Sequence, residues 1–393
     1  MLSLKDLDLE GKTVFLRVDF NIPLDEAGEI RDDTRIKAAL PTINFLLEHK
    51  AKLIIASHLG RPKGQYKPEL SLKPVAKRLS ELTSRDVVLA PDVIGDAVER
   101  MKKEQSEDQI LLLENLRFHP GEKGNDPEFS QQLAAGIDCY VNDAFGACHR
   151  AHASIVGIPS LVRQSAAGFL VEKEVEYLQK AIQSPQKPYV AILGGAKVSD
   201  KIPVIESLLN RADDLLIGGA MAYTFFLAQG YDVGRSLVEE EQKELALQAY
   251  QKAEKKGVNV YLPSDHVVAA EADEAAEAQT LADFPIPADL MALDIGPKTI
   301  EHYTGIIAKA RTIFWNGPMG VFEIDKFSEG TMKIAQAVAN AEALSIVGGG
   351  DSVAAVYRAG VAEKISHIST GGGASLEFIA HETLPGIEAL TEK

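Results

Sequence analysis

The stretch Ile346–Val356, IVGGGDSVAAV, runs from an apolar segment through three glycines and an acid into a small hydroxyl residue and a helix-like apolar pattern. It reads as strand, tight loop and helix. Gly348, Gly349 and Gly350 carry no side chain that would keep a bulky anion off the backbone, and a helix starting near Ser352 would point its unpaired N–H groups at that anion. Such a loop is a seat for phosphate. Asp351 beside it is the one group there that could hold Mg2+, a hard cation that keeps several waters and bridges carboxylate to phosphate oxygens. A glycine-rich turn in which Asp351 only caps the helix fits the same residues, and the rest of the chain has to separate the two.

The same plan recurs through the second half. Tyr189–Leu193 precedes GGAKVSDKI, Leu215–Ile217 precedes GGAMAYTF, Thr312–Trp315 precedes NGPMGVFE, and Ile365–Ser369 precedes TGGGAS. Continuous apolar runs separated by helical segments predict parallel sheets covered on both faces. Ligands of such sheets bind beyond the carboxyl ends of the strands, where these glycines fall. Lys197 and Lys201 lie four apart across an expected helix start with Pro203 in its first turn. Seen alone they would be solvated lysines; after a strand and two glycines, a phosphate contact is favoured.

The first half has strands of the same kind with different residues at their ends. Val14–Asp19, Lys52–Ser57, Ile110–Glu114 and Cys139–Asn142 deliver Asp19, Asn21, His58, Arg61, Arg117, His149, Arg150 and His152. Arg35 falls in the first turn of the amphipathic helix expected from DDTRIKAALPTINFLLEHK, with Asp33 or Thr34 as its N-cap. That is the wrong end of a helix dipole for a cation, which suggests that an anion is met there. Any one of these groups could be a solvated surface charge. Four strands delivering basic groups at one end point instead to a multidentate anion site, because arginine forks match carboxylate and phosphate oxygens. His149 and His152 lack a third ligand of suitable type nearby and are read as anion contacts rather than a metal pair.

At 393 residues the chain exceeds what one hydrophobic core supports, so two domains are expected. The formal net charge of −16 excludes a general binder of nucleic acid or anionic membrane, which needs a broad basic face. The longest apolar stretch, Leu215–Ala228, is broken by Gly218 and Gly219 and is too short to span a bilayer. The N-terminal MLSLKDLDLEGK has no apolar signal-peptide core, so a cytoplasmic location is expected. Cys139 and Cys148 are read as reduced thiols, and Glu271–Thr280 as a solvated acidic loop. The Walker loop, the dinucleotide fingerprint after a strand and the protein-kinase set are all missing, so neither an ATPase of the Walker type nor a dehydrogenase is supported.

RVDFN at Arg17–Asn21, SHLGRP at Ser57–Pro62, LENLRF at Leu113–Phe118, NDAFGACHRAH at Asn142–His152, GGAKVSDK at Gly194–Lys201, WNGPMGVFE at Trp315–Glu323, GGGDS and STGGGAS follow one another in this order. Through its length the chain resembles the phosphoglycerate kinase family. The resemblance implies an α/β protein of two doubly wound, Rossmann-like parallel-sheet domains joined by a hinge. Residues 1–168 would form the phosphoglycerate-binding domain, joined by the C-terminal segment 376–393; 169–187 would be an interdomain helix and linker, and 188–375 the nucleotide-binding domain.

It further implies reversible phosphoryl transfer between 1,3-bisphosphoglycerate with MgADP and 3-phosphoglycerate with MgATP. By the family's pattern Asp19, Asn21, Arg35, His58, Arg61, Arg117 and Arg150 hold the glycerate ligand. Gly194, Lys201, Gly218, Asn316, Glu323, Gly349, Gly350, Asp351 and Ser352 hold the nucleotide, with Mg2+ on Asp351. Lys197, Arg35, Gly371 and Gly372 meet the phosphoryl group in flight. The same pattern implies a cytoplasmic monomer without nucleic-acid or membrane partners. Ala220, Ser352 and Cys148 depart from residues common in the family. Both nucleophiles, a carboxylate and a diphosphate oxygen, are already ionised near neutral pH, so no general base is needed and none is evident. Because the cationic and glycine-built sites fall in different halves, a hinge at 166–188 and at Gly371–Gly373 is expected to close in turnover. A non-catalytic two-domain protein that binds an anion and a nucleotide is the alternative.

Overall fold

Val14, Leu16 and Val18 alternate along one strand and share an apolar cluster with Ile36, Ile43 and Leu46 of the helix Thr34–Glu48. Alternation leaves Phe15 and Arg17 on the other face, where Phe15 stacks on Tyr140 with ring centroids 6.1 Å apart. Each fully buried aliphatic side chain of such a cluster contributes about 1.5–3 kcal/mol. Exposed pairs such as Lys50 with Glu10 contribute roughly 0–1 kcal/mol, so the apolar faces set the fold.

The computed structural model describes residues 1–391. It divides into two units, one formed by Met1–Glu176 with the residues from Thr383 onward, the other by Tyr177–Glu382. The helix Gly373–His381 therefore belongs to the second unit, and the chain re-enters the first at Thr383, later than the 376 expected. Residues 392 and 393 of the expected returning segment lie outside the described residues. The helix Phe169–Gln183 falls in the segment expected as interdomain helix and linker, and the division between Glu176 and Tyr177 lies within it.

The first unit holds β1 (Leu2–Ser3), β2 (Thr13–Val18), β3 (Lys52–Ala56), β4 (Asp86–Leu89), β5 (Gln109–Leu112), β6 (Cys139–Asp143) and β7 (Gln164–Ala167). They form one sheet in the order β1-β7-β6-β2-β3-β5-β4, parallel throughout. The next strand in sequence lies to one side of β2 and β6 lies to the other, so a crevice opens beyond their carboxyl ends.

The second unit follows with β8 (Tyr189–Leu193), β9 (Asp214–Ile217), β10 (Asn259–Tyr261), β11 (His266–Ala269), β12 (Gln279–Leu281), β13 (Met291–Ile295), β14 (Thr312–Asn316), β15 (Leu344–Gly348) and β16 (His367–Ile368). Its main sheet, β10-β9-β8-β14-β15-β16, is parallel and switches direction between β8 and β14. Trp315 and Ile313 of β14 pack with Val190, Ile192 and Val347 on one face.

Three local expectations change. An antiparallel sheet, β12-β11-β13, accompanies the parallel one, and the segment expected as a solvated loop ends inside it at Gln279 and Thr280. Asp33 holds the N-cap position of the helix Thr34–Glu48, but its carboxylate is held by Arg78 and Lys37 and makes no cap bond; Asp32 Oδ1 accepts from Thr34 N–H instead. The helix expected near Ser352 begins earlier, at Gly350. Both cysteines are free and buried, and no described helix is long and apolar enough to cross a membrane.

Asp143, at the end of β6, accepts the N–H groups of Leu170 (2.9 Å) and Val171 (3.4 Å) at the start of the helix Phe169–Gln183. Burial pushes its pKa up to about 7 despite those bonds and Thr42. A carboxyl raised from 3.8 keeps its proton in the fold longer than in the unfolded chain, so its contribution is present below pH 3.8 and is lost as pH rises towards about 7. Asp143→Asn keeps an acceptor oxygen and removes the titration. Its melting temperature relative to the wild type is expected to rise between pH 5 and 8, and a constant difference in thermal melts would contradict the reading.

Candidate functional site

In the first unit the site is built on Arg17, which β2 carries on the face turned away from the helix Thr34–Glu48. Its side chain is wholly buried. Nε donates to Ser154 Oγ at 2.8 Å, Nη1 to the Val18 carbonyl, and Nη2 lies 3.1 Å from His58 Nδ1. A guanidinium can only donate, so His58 Nδ1 accepts and the ring proton sits on Nε2. That nitrogen is 3.9 Å from Asp19 Oδ1. Asp19 Oδ2 accepts from Arg35 Nη1 at 2.8 Å; the anion expected at this helix start is, in the structure, a side chain of the protein. Asn21 Oδ1 accepts from Gly60 N–H at 2.8 Å and ties the loops after β2 and β3 together.

Arg117 follows β5 and is buried, with Nη1 donating to the Gly60 carbonyl at 2.8 Å and Nε without a partner among the described residues. Arg150 Nε donates to His149 Nε2 at 3.0 Å. His152 Nδ1 lies 3.7 Å from Glu122 Oε1.

These cations act on one another. Burial, followed by the charges of Arg17, Arg117, Arg35 and His152, holds His58 far below its ordinary pKa and hence neutral. Burial, then Arg17 and Arg150, lowers Arg117 to about 10, against the opposing pull of Glu122 and Asp19. A set of guanidiniums that destabilise each other at close quarters is relieved by an incoming anion. Arg61 stands apart: it is exposed and makes no hydrogen bond or ion pair among the described residues.

In the second unit the site lies where the sheet switches between β8 and β14. Gly194 N–H donates to the Asn316 carbonyl (3.0 Å), Gly195 N–H to Pro318 (2.9 Å) and Gly219 N–H to Met319 (2.9 Å). These loops interlock so closely that a Cβ on Gly194 would fall 2.1 Å from the Pro318 oxygen, and one on Gly317, at φ +100°, 2.1 Å from the Gly194 oxygen. Glycine is required there by backbone contact alone.

Beside the interlock is a cleft of about 380 Å3 lined by Gly195, Lys197, Lys201, Asn316, Gly350 and Asp351 among others. Lys201 Nζ donates to Asn316 Oδ1, which leaves Asn316 Nδ2 as a donor. Nδ2 is buried and has no partner among the described residues. A buried donor left unpaired costs about 1–3 kcal/mol, so the cleft has one hydrogen bond in reserve for an acceptor. Burial lowers Lys201 to about 8, with Asp200 and Asp351 holding it up.

Lys197 and Lys201 both lie in the turn ahead of the helix Ile202–Leu208 rather than across its start, and both line the cleft. Asp351 is exposed in the first turn of the helix Gly350–Arg358. The described residues contain no cluster of three or more metal-ligating side chains. One carboxylate at the mouth of a phosphate-sized cleft suits Mg2+, which takes its other ligands from phosphate and water.

Some expected residues are placed differently. Ser352 is buried and its Oγ accepts from Gly317 N–H at 2.5 Å, so it braces the interlocked loop. Gly218 is packed against Met319 Sδ, Gly371 is buried, and Glu323 is exposed; none of the three lines the cleft, whereas Gly372 and Gly373 do. Arg17, Ser154, Glu122 and Gly317 were not singled out from the sequence. For Arg17 a signal was available, since a charge inside the apolar run VFLRV has to be satisfied internally.

The phosphoglycerate kinase family model matches residues 4–382. The phosphoglycerate kinase of Acidobacterium capsulatum is 59% identical over 401 residues, covering 100% of this chain and 99% of the relative. That of Anaeromyxobacter dehalogenans is 57% identical over 388 residues, covering 98% of each chain. Among solved structures, the phosphoglycerate kinase of Coxiella burnetii is similar with a TM-score of 0.89 at 43% identity, over 100% of this chain and 98% of that one.

Proposed function

The chain belongs to the phosphoglycerate kinase family, and from that premise we propose that its two sites share one phosphoryl transfer. The reaction moves a phosphoryl group between 1,3-bisphosphoglycerate with ADP and 3-phosphoglycerate with ATP. Asp19, Asn21, Arg35, His58, Arg61, Arg117 and Arg150 hold the phosphoglycerate. Gly194, Lys201, Gly218, Asn316, Glu323, Gly349, Gly350 and Ser352 build or brace the nucleotide site, and Asp351 carries Mg2+, which when bound neutralises phosphate charge. The observation that supports this division most is Asn316 Nδ2, buried and unpaired beside Lys201 in a glycine-lined cleft. Exposed Glu323 is assigned on the family's pattern alone. No observation favours binding without catalysis.

Chemistry at both ends starts from ionised oxygens, so the protein's work is positioning and charge neutralisation. Lys197, Arg35, Gly371 and Gly372 are assigned to the phosphoryl group itself. A coupled assay should show ATP formation from 1,3-bisphosphoglycerate and MgADP. Lys197→Ala is expected to lower kcat by about a hundredfold or more, with smaller changes in either KM. A near-normal kcat would remove Lys197 from this role.

Lys201 is about half deprotonated near pH 8 in the free protein, and arriving phosphates favour its charged form. Nucleotide binding just above pH 8 should therefore take up protons, and affinity should fall as pH rises through that value. Calorimetric ADP titrations in buffers of different ionisation enthalpy measure the uptake. In the same titrations Asp351→Asn should erase the advantage of MgADP over metal-free ADP. Heats independent of buffer would reject the Lys201 assignment, and equal weakening of both nucleotide forms would leave Asp351 as no more than a charge in the first turn of its helix.

In-line transfer needs reacting atoms within about 3–3.5 Å and water excluded from the acyl phosphate. We assign closure to the segment 166–188 and to Gly371–Gly373 in a cytoplasmic monomer. Small-angle scattering should give the mass of one chain and the largest fall in radius of gyration with 3-phosphoglycerate and MgATP together. A curve unchanged by both ligands would count against closure.

A further inference from the structure

Beneath the cationic cluster lies a carboxylate that phosphoryl transfer itself does not require. Glu122, in the short helix Pro120–Gly124, is wholly buried, as is Ser154. Glu122 Oε2 accepts from Ser154 N–H at 3.0 Å and Oε1 from Ser154 Oγ at 2.7 Å. A hydroxyl has one hydrogen, and Ser154 gives it to Glu122. Its oxygen is left to accept from Arg17 Nε, which it does at 2.8 Å. Arg17 then has Nη2 free to donate to His58 Nδ1.

Arg17 can only donate, so Ser154 Oγ accepts from it and passes its own hydrogen to Glu122, which is an acceptor on both oxygens. Burial acts to raise its pKa, but His152, Arg17 and Ser154 outweigh burial and hold it below the usual carboxylate range. Tyr140 Oη donates to the Ser154 carbonyl at 2.8 Å and fixes the backbone that carries the hydroxyl. A mobile or protonated Glu122 would let Ser154 donate elsewhere, and Arg17 could then turn away from His58.

We propose that Glu122 and Ser154 are positioning residues for phosphoglycerate, which through Arg17 hold His58 as the Nε2–H tautomer beside Asp19. This rests on the assignment of the cluster to phosphoglycerate. His58 is kept neutral by its surroundings, so its tautomer is a defined property, selected by the Arg17 donor on Nδ1 with the Asp19 carboxylate 3.9 Å from Nε2 on the same side of the balance. A donor thus faces the ligand side, where an Nδ1–H tautomer would present a lone pair to an anion.

The test reads the imidazole directly by 15N NMR of His58 and compares kinetics. Free wild-type enzyme should show one tautomer with the proton on Nε2; an Nδ1–H tautomer would overturn the proposal without any variant. Ser154→Ala keeps the backbone bond to Glu122 and removes the relay. It should give a mixture of His58 tautomers and raise the KM for 3-phosphoglycerate about tenfold, the loss of about one hydrogen bond to a charged group, with the KM for MgATP unchanged. Ser154→Thr should restore both readouts, and Glu122→Gln should behave as Ser154→Ala. A raised KM with an unaltered single tautomer in Ser154→Ala would show packing rather than positioning and overturn the relay. If wild-type His58 resonances do not respond to 3-phosphoglycerate, the site assignment fails instead, while the tautomer comparison still judges the relay.

Discussion

A parallel strand cannot reach its neighbour by a tight turn, so the chain must leave over the face of the sheet and return from the far end. In this protein that constraint gathers all the outgoing loops of a parallel sheet at one edge. Neighbours in register there, such as Arg17 with Asn142 and Asn316 with Gly348, bring residues far apart in sequence side by side. The two sheets use the edge differently. The first releases long cationic side chains, and the second releases glycines that let main chains touch.

The difference has an energetic consequence. Side chains that carry charge into a buried crevice must be held against mutual repulsion, which explains why the first unit buries Arg17, Glu122, Ser154 and His58 in one hydrogen-bonded run. The second unit needs little of this. Its cleft is lined by the start of the helix Gly350–Arg358 and by Asn316, whose Nδ2 has no partner among the described residues.

What could be read from the sequence follows the same division. The strands β2, β3, β5, β6, β8, β9, β14 and β15 fall within two residues of their expected limits because each is a short apolar run with a marked end. Strands β4, β7 and β10 were not expected: QSAA at Gln164–Ala167 has no apolar pattern, and Asn259–Tyr261 is an edge of three residues. The antiparallel β11 to β13 were hidden in segments where charge or a short length masks alternation. His58, Arg117 and Arg150 stood out by residue type and strand end, and Arg35 by a cation at the wrong end of a helix dipole. Glu122, in GEKGN, was not, because one carboxylate in a polar stretch has nothing to mark it as buried.

The interlock of the Gly194, Gly219 and Gly317 loops bears on how this protein can be varied in the laboratory. The atoms that a new Cβ would strike are main-chain atoms of the opposite loop, at 2.1–2.5 Å. Trimming a neighbouring side chain therefore cannot make room. A selection that randomises these positions singly should return only glycine, and pairwise randomisation offers no escape. The loops after β8, β9 and β14 are exchangeable only as a set, like the parts of a lock cut to one another, and grafting a different nucleotide preference onto this scaffold has to begin outside them.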